Sequence, residues 1–318
     1  MEKTDSIFVA GHTGLIGSAV VRHLYANGFK NLFLVDHSAL DLTDSAAVVQ
    51  FFNAHAPQYV ILAAGKVGGI IDNTATPADF ISINLAIQLN VIRSAHAVGV
   101  KKLIFFASSC MYPRTCEQPM KESALLSGQP ELTSLPYAIA KLSGMHMCFA
   151  YTQQYGEQRF IPVIPNSAFG PKDNFNPNSG HVLSSLIGRI HEAHQARAKI
   201  LILWGSGNPR REFIHSDDIA SACADLLIQN TDSLALPLNL GAGQDYSIRE
   251  LAETISRVIG YSGAIEWDIG KPDGAPRKLL DSSRMRNFGW VPCVNFLDGI
   301  KSTYQWYLEN ELPKGSET

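Results

Sequence analysis

A layered α/β fold with a doubly wound parallel sheet is predicted by three features of this sequence. Short apolar runs rich in β-branched residues alternate with longer helical patterns through the first half, which is typical of repeated strand-helix-strand units. A glycine-rich turn joins the first run to the first helical pattern. After about Pro165, Gly, Pro and Asn crowd into loops, which predicts a smaller C-terminal α/β lobe over the carboxyl edge of the sheet.

The boundaries of these elements follow from the same patterns. The predicted strands of the first half are Ile7 to Ala10, Leu32 to Asp36, Tyr59 to Ala64, Leu103 to Ser108 and Phe160 to Ile164. The predicted helices are Leu15 to Ala26, Phe80 to Val98, His181 to Ala196 and Ser247 to Ile259. We expect a first domain over residues 1–165, rejoined by about 214–240, and a lobe formed mainly by 166–318 with a frayed tail at 314–318.

The composition excludes several classes of protein. The 318 residues carry a net charge of −3 and are 46% hydrophobic, which suits a globular protein without a broad basic surface for nucleic acid. The five cysteines are scattered without a Cys-x-x-Cys pair, so we expect no disulfide framework, no metal site and a reducing compartment. No apolar run approaches the length of a membrane span. We therefore expect a cytoplasmic protein with neither a nucleic-acid nor a membrane partner.

The glycine-rich turn between the first predicted strand and helix is a candidate phosphate-binding loop. Glycines let the backbone approach a pyrophosphate, and the N-terminus of the following helix favours its negative charge. Such a turn also occurs without a ligand, but at the start of a strand-helix series it favours a Rossmann fold that binds a nicotinamide dinucleotide. The candidate cofactor-binding residues of this turn are Gly11, Thr13, Gly14, Leu15, Ile16 and Gly17.

Asp36 bears on the choice between NAD and NADP, because it ends the second predicted strand near the expected adenosine ribose. A carboxylate there could accept hydrogen bonds from both ribose hydroxyls and would repel a 2′-phosphate, which favours NAD. Alternatively, Asp36 caps a turn and leaves His37 free to contact a phosphate.

Tyr137 and Lys141 are candidates for a hydride-transfer site, because their spacing puts a phenol and an ammonium on one face of a helix, one turn apart. The lysine charge is expected to lower the pKa of the tyrosine from about 10 and so make it a better proton shuttle. Ser108, which ends a predicted strand, could hydrogen-bond the same substrate oxygen. A Tyr-x-x-x-Lys pair alone is common on solvated helices, but its position after the glycine-rich turn and a Ser-Ser strand end indicates an oxidoreductase.

This combination resembles the extended short-chain dehydrogenase/reductases that act on nucleotide sugars, and longer motifs resemble the GDP-L-fucose synthase family. The motifs extend over most of the chain. They are Ala63-Ala64-Gly65-Lys66-Val67-Gly68-Gly69-Ile70, Ser108-Ser109-Cys110-Met111-Tyr112-Pro113, Tyr137-Ala138-Ile139-Ala140-Lys141, Trp204-Gly205-Ser206-Gly207-Asn208-Pro209-Arg210-Arg211-Glu212-Phe213 and Lys271-Pro272-Asp273-Gly274-Ala275-Pro276-Arg277-Lys278.

The resemblance implies epimerisation at C3 and C5 and NAD(P)H-dependent reduction at C4 of a GDP-linked 4-keto-6-deoxy sugar. Cys110 and His181 match the acid/base pair that inverts the two carbons; from the residues alone, we would interpret them as a buried thiol and a surface histidine. The implied cofactor-binding residues are His37, Asp41, Ala63, Ala64, Lys141 and Asn166. The implied substrate-binding residues are Ser167, Arg189, Trp204, Arg211 and Lys271.

The sequence departs from the family pattern at positions that leave alternatives open. Thr13 and His37 stand where bacterial family members carry arginines for the NADP 2′-phosphate, so NADP and NAD are about equally expected. Ser167 and Ala168 replace an Asn and a Leu, which could admit another GDP-sugar such as a GDP-heptose to a reductase, epimerase or 4-dehydrogenase. A cofactor sensor without catalysis is a third hypothesis, although sensors usually lose the tyrosine or lysine. By analogy with superfamily dimers, we expect a homodimer.

Overall fold

The computed structural model describes residues 1–177, 179–271 and 273–312. Its strands are β1 (Ile7–Ala10), β2 (Leu32–Phe33), β3 (Tyr59–Leu62), β4 (Lys102–Phe106), β5 (Phe160–Pro165), β6 (Ser167–Phe169), β7 (Ile200–Trp204), β8 (Arg210–His215), β9 (Leu238–Leu240), β10 (Asp245–Ser247), β11 (Ala264–Asp268) and β12 (Arg277–Lys278). Its helices are α1 (Leu15–Ala26), α2 (Ser45–His55), α3 (Ile70–Ala75), α4 (Pro77–Ala97), α5 (Leu135–Tyr155), α6 (Val182–Gln195), α7 (Ser216–Ile228), α8 (Ile248–Ile259), α9 (Ser283–Asn287) and α10 (Phe296–Asn310). The predicted tail at 314–318 lies outside the described residues.

Six parallel strands form the main sheet, in the order β2-β1-β3-β4-β5-β9. Alternate residues of β1 pack on opposite faces. Phe8 and Ala10 join a cluster with side chains of α2, α4 and α5, whereas Ile7 and Val9 pack with α1 and α7. Strands covered on both faces are apolar throughout, which explains the uninterrupted hydrophobic runs of the sequence. The predicted doubly wound α/β fold is confirmed.

The C-terminal part adds two smaller sheets to this framework. β8 lies between β10 and β12 and also pairs with β6, while β7 pairs with β11. Side chains of α6, α8 and α10 form a third core with residues of these strands. β9 and α7 belong to the main sheet and its helical layer. No helix among the described residues is long and apolar enough to cross a membrane.

Predicted and observed boundaries differ mainly at the carboxyl ends of the strands. The helix predicted from Leu15 to Ala26 has those bounds. The predicted strand Leu32 to Asp36 is too long, because β2 is an edge strand that pairs with β1 at two positions and ends at Phe33. The strands predicted to end at Ala64 and Ser108 stop two residues earlier, where the chain leaves the sheet to form loops. These loops lie side by side at the carboxyl edge, where ligands bind in open α/β sheets.

Candidate active site

The glycine-rich turn brings β1 against the end of β3. Gly11 has a φ of +83°, and a Cβ on it would lie 2.7 Å from the backbone nitrogen of Ala64. A Cβ on Gly17 would lie 2.1 Å from the Gly11 carbonyl oxygen. Both positions therefore require glycine, and the close packing leaves the N-terminus of α1 directly above the turn. The first turn of α1, all of it described, contains no acidic residue that would oppose a bound anion.

The other residues predicted for this part of the cofactor site surround the turn. Gly14 is the N-cap of α1, Thr13 is exposed, and Leu15 and Ile16 are half-buried in the first helical turn. Ala63 donates its backbone N–H to the Ala10 carbonyl over 3.0 Å, and it lies half-buried with Ala64 beside the glycines. This glycine cradle at a helix N-terminus fits a dinucleotide pyrophosphate.

Acidic and imidazole side chains face one another at the expected ribose end of the site. Asp36 follows β2 by three residues rather than ending it, and its Oδ1 lies 3.4 Å from Nε2 of His12. Asp41 accepts hydrogen bonds from the N–H and hydroxyl of Thr43, which lower the pKa of its carboxyl. His37 is highly exposed, and its Nδ1 lies 4.0 Å from Asp41 Oδ1. Two carboxylates and two imidazoles thus lie together at this end of the site.

Ser108, Cys110 and Tyr137 meet at the end of β4. Ser108 begins a short 3₁₀ helix over Ser109–Met111, and its Oγ accepts the Cys110 backbone N–H over 3.2 Å. Tyr137 lies in the first turn of α5, where its hydroxyl forms a hydrogen bond with Ser108. Its ring packs edge-on against Phe80 at 6.1 Å between centroids. The half-buried thiol of Cys110 lies within electrostatic reach of Tyr137. A proton donor, a hydroxyl partner and a thiol therefore share one site.

The predicted lowering of the Tyr137 pKa is wrong for this structure. Burial raises the pKa of the phenol, negative charge on Cys110 raises it further, and the Ser108 hydrogen bond only partly offsets them. Lys141 is 5% exposed, and its Nζ lies 5.8 Å from the centre of the Tyr137 ring and donates to the Phe106 carbonyl over 2.9 Å. The spacing of four residues correctly predicts that the Lys141 ammonium lies near Tyr137. It does not predict that both side chains are buried away from water.

Burial also lowers the pKa of Lys141 to about 8. Because the folded protein binds this proton less tightly than the unfolded chain, stability should rise as the pH increases from about 8 towards 10.5. We expect Lys141→Met to have a higher free energy of unfolding than wild type at pH 7. The difference in the free energy of unfolding between the variant and wild type should shrink by about 3 kcal/mol towards pH 10.5. This amount follows from the size of the Lys141 pKa shift.

Chemical denaturation of both proteins between pH 7 and 10 measures this difference. Lys301→Met, which removes an exposed lysine of α10, is the matched control and should show little pH-dependent difference. If the difference in the free energy of unfolding between Lys141→Met and wild type stayed constant over this range, burial of the Lys141 ammonium would not destabilise the fold.

Arg211 approaches Cys110 from the C-terminal lobe. Burial lowers the pKa of the guanidinium, while the charges of Cys110 and Asp273 raise it. Its Nη1 donates to the Arg210 carbonyl over 2.8 Å, which holds the side chain along β8. A cation thus lies near the thiol that the resemblance implies as an acid/base group.

The other residues predicted for the substrate extend along the same lobe. Lys271 Nζ lies 5.5 Å from the ring centre of Trp204, which is 59% exposed. Arg189 donates to the Ile202 carbonyl over 2.7 Å and is thereby held against β7. Ser167 is half-buried on β6, whereas Ala168 packs against the core of the main sheet. Of these two departures from the family pattern, Ala168 is thus part of the core packing.

Asn166 and His181 lie at opposite extremes of burial. Asn166 is 5% exposed, and its Nδ2 donates to Glu212 Oε2 over 2.6 Å. Its Oδ1 has no hydrogen-bond partner among the described residues, as expected of a group that awaits a ligand. His181 is exposed and is the N-cap of α6. Asp173, whose charge interacts with that of His181, is not distinguished by the sequence from the other polar residues of its loop.

Comparison with known proteins assigns this arrangement to a family. The model of the NAD dependent epimerase/dehydratase family matches residues 7–241. A putative GDP-L-fucose synthase 2 of Arabidopsis thaliana is 50% identical over 314 residues, covering 99% of this chain and 95% of the relative. The GDP-L-fucose synthase of Escherichia coli K12 is 46% identical over 312 residues, covering 96% of this chain and 97% of the relative. The chain belongs to the GDP-L-fucose synthases of this family.

Solved structures agree with that membership. A GDP-6-OMe-4-keto-L-xylo-heptose reductase from C. jejuni has a TM-score of 0.92 at 35% identity and matches 97% of this chain and 99% of that one. A GDP-L-fucose synthetase from Naegleria fowleri bound to NADP has a TM-score of 0.88 at 30% identity, with 98% and 96% covered. The resemblance of the sequence to GDP-L-fucose synthases is confirmed, as is the enzyme class, an NAD(P)-dependent nucleotide-sugar epimerase/reductase.

Proposed function

We propose that this enzyme inverts C3 and C5 of GDP-4-keto-6-deoxy-mannose and then reduces C4, which yields GDP-L-fucose. The observation that carries the proposal is the shared position of Ser108, Cys110 and Tyr137 at the end of β4. A reductase alone needs the hydroxyl groups, whereas a thiol beside them adds a second proton-transfer group within reach of the same sugar.

Reduction uses groups that hold and deliver a proton at the sugar O4. Tyr137, whose raised pKa keeps the phenol protonated, donates its proton to that oxygen, and the Ser108 hydroxyl stabilises the developing negative charge. The reduced nicotinamide, when bound, supplies the hydride for C4. Lys141 contributes a nearby positive charge, and together with the glycine-rich turn, Asn166 and the alanines after β3 it would hold the dinucleotide.

Epimerisation depends on the acidity that the C4 ketone gives to the hydrogens on C3 and C5. Cys110 lies within electrostatic reach of the guanidinium of Arg211 and beside Tyr137, and we assign it the role of base. His181, the exposed N-cap of α6, is assigned the role of acid on the opposite face. The two groups come from different parts of the chain, the end of β4 and the start of α6, as proton transfer on two faces of one sugar requires.

The GDP moiety suits the cationic and aromatic side chains of the lobe. Arg189 and Arg211 supply planar guanidinium groups for phosphate oxygens, and Lys271 supplies a further charge beside Trp204. An indole that is largely exposed offers a surface on which a base can pack.

Oxidation of NADPH and NADH in the presence of GDP-4-keto-6-deoxy-mannose tests the substrate assignment. We expect absorbance at 340 nm to fall with at least one of the two cofactors and the GDP-sugar to be converted. If neither NADPH nor NADH were oxidised, the proposal would be overturned.

Asp36 leads us to propose that the enzyme uses both cofactors rather than NADPH alone. Its carboxylate is 69% exposed, so its repulsion of a 2′-phosphate is partly screened and is worth about 1 kcal/mol. Asp36→Asn should therefore raise the ratio of kcat/KM for NADPH to that for NADH about fivefold. Steady-state kinetics with each cofactor measures the ratio, and Asp232→Asn, in the loop before β9, is the control. An unchanged ratio would show that Asp36 does not face the ribose.

A GDP-heptose reductase is the second candidate function. It is favoured by the TM-score of 0.92 to the C. jejuni heptose reductase and by the small Ser167 on β6. Faster reduction of a GDP-4-keto-heptose than of the 6-deoxy substrate would support this alternative.

We further propose a cytoplasmic homodimer. Leu89 on α4 and Ile139 on α5 are 46% and 40% exposed on two helices that pack together, which suits a shared apolar interface. All five cysteines are free, as in proteins of reducing compartments. Sedimentation analysis tests the dimer directly.

A further inference from the structure

Asp273 is a carboxylate in the part of the lobe that we propose for the GDP moiety. It is exposed, and it lies in the loop between β11 and β12. Lys271 precedes it by two residues, and its charge also acts on the guanidinium of Arg211. A negative charge beside a diphosphate weakens the binding of that ligand, so Asp273 would oppose GDP unless it contributed in another way.

Ser206 holds Asp273 through both carboxylate oxygens. Oδ1 of Asp273 accepts the Ser206 backbone N–H over 2.9 Å, and Oδ2 accepts the Ser206 hydroxyl over 2.7 Å. These hydrogen bonds lower the pKa of Asp273, so the side chain is a carboxylate at neutral pH. The pair therefore joins the loop between β11 and β12 to the turn between β7 and β8.

The turn that carries Ser206 is itself fixed by the rest of the lobe. The Ser206 carbonyl accepts a hydrogen bond from Arg249 Nη2 over 2.9 Å, and the Arg249 guanidinium lies 4.9 Å from the ring centre of Trp267. Gly207 has a φ of +76°, and a Cβ on it would lie 2.8 Å from the same ring. Because Trp267 belongs to β11, which pairs with β7, the turn packs against its own sheet and gives Asp273 a rigid partner.

The loop held in this way contacts two of the residues proposed for GDP. Lys271 Nζ lies 5.5 Å from the ring centre of Trp204. A Cβ on Gly274 would lie 3.0 Å from Arg211 Nη2, so the loop backbone passes directly beside the guanidinium. Asp273 lies between these two contacts in the chain. Its attachment to the turn thus fixes the loop that carries the Lys271 ammonium.

We propose that Asp273 is a positioning residue that holds Lys271 in place for the GDP diphosphate by fastening its loop to Ser206. The inference rests on the proposed function, because that function supplies the GDP moiety. A loop that is ordered before the ligand arrives loses less entropy on binding. This gain outweighs the repulsion between the diphosphate and an exposed, screened carboxylate.

Asp273→Ala and Asp273→Asn test the inference together, because both remove the charge and only the first removes the hydrogen-bonding group. Isothermal titration of each variant with GDP, without cofactor, measures the dissociation constant. We expect Asp273→Ala to raise this constant about tenfold, since the loop must then be ordered at the moment of binding.

Asp273→Asn should bind GDP more tightly than Asp273→Ala. Its amide oxygen can accept the Ser206 N–H and its amide nitrogen can donate to Ser206 Oγ, so the dissociation constant should rise by less than about threefold. Unchanged or tighter binding of GDP by Asp273→Ala would overturn the inference. Equal weakening in both variants would also overturn it, because the effect would then follow from the charge and not from the attachment.

A double-mutant cycle with Lys271→Met separates this role from a purely structural one. If Asp273 acts through Lys271, Asp273→Ala should change the GDP dissociation constant of the Lys271→Met variant by less than about threefold. A change of about tenfold in that background would contradict the inference.

Steady-state kinetics gives a second readout. Asp273→Ala should raise KM for GDP-4-keto-6-deoxy-mannose about tenfold and leave kcat within about twofold, because the lost interaction is with the GDP moiety and not with the reacting carbons. A fall in kcat with KM unchanged would contradict a role in GDP binding. Asp298→Asn, which removes an exposed carboxylate of α10, is the matched control and should bind GDP as wild type does.

Wild-type binding keeps failure of the inference apart from failure of the proposed function. If wild type does not bind GDP, the proposed GDP-sugar substrate fails and the inference falls with it. If wild type binds GDP and Asp273→Ala binds it equally well, only the inference fails. Should Asp273→Ala not fold, Ser206→Ala removes one of the two hydrogen-bond donors. Weaker binding of GDP is again the expected result, and unchanged binding would again overturn the inference.

Discussion

Tyr137→Phe is expected to lower the rate of C4 reduction about 10³-fold, the typical contribution of general acid catalysis. The phenol forms a hydrogen bond with Ser108 and keeps its proton because burial raises its pKa, so no other group replaces it as the donor to O4. The ring itself packs against Phe80, and the substitution preserves that contact. Single-turnover oxidation of the reduced cofactor with an inverted 4-keto sugar measures the effect.

Two controls accompany Tyr137→Phe. Deuterium exchange at C3 and C5 should persist, because Cys110 and His181 remain in place. Tyr155→Phe, at the exposed end of the same helix, should reduce C4 at the wild-type rate. A reduction rate within tenfold of wild type for Tyr137→Phe would remove this phenol from the mechanism.

Cys110→Ser is expected to have the second large effect, a loss of about 10³-fold in deuterium exchange. A serine hydroxyl is a much weaker acid than a thiol, so the nearby Arg211 cannot maintain its anion at neutral pH. Reduction should continue and now yield the C4 alcohol of the sugar with C3 and C5 unchanged. NMR of the product distinguishes the two stereochemical outcomes.

Cys116 offers a matched control, since it is the next cysteine along the chain and is likewise half-buried. Cys116→Ser should exchange and reduce normally. If Cys110→Ser still gave a fully inverted product at the wild-type rate, the base would have to be another group.

Much of the fold and of the reduction site follows from local features of the sequence. The glycine positions are fixed by the approach of β1 to β3, and a spacing of four residues places Tyr137 and Lys141 on one face of α5. Ser108 follows β4, which is adjacent to β3 in the sheet, so strand order alone brings it to the same edge. The sequence predicts these residues because short segments of regular structure determine their neighbours.

Features that depend on distant segments could not be predicted in the same way. Asp173 meets α6 only after the intervening loop has folded, and an acidic residue in a polar loop carries no distinguishing signal. The direction of the Tyr137 pKa depends on how completely the lobe and α4 exclude water, which spacing does not reveal. The apolar pattern predicts Asp36 at a strand end, but an edge strand with a single neighbour ends earlier than that pattern indicates.

The position of isotope in the product distinguishes epimerisation followed by reduction from reduction alone. Wild-type enzyme, GDP-4-keto-6-deoxy-mannose and unlabelled NADPH or NADH are combined in D₂O, and the product is analysed by NMR. We predict inverted C3 and C5 that both carry deuterium and a C4 that carries protium from the cofactor. A product reduced at C4 with protium retained at C3 and C5 would rule out the proposed epimerisation and identify the enzyme as a reductase alone.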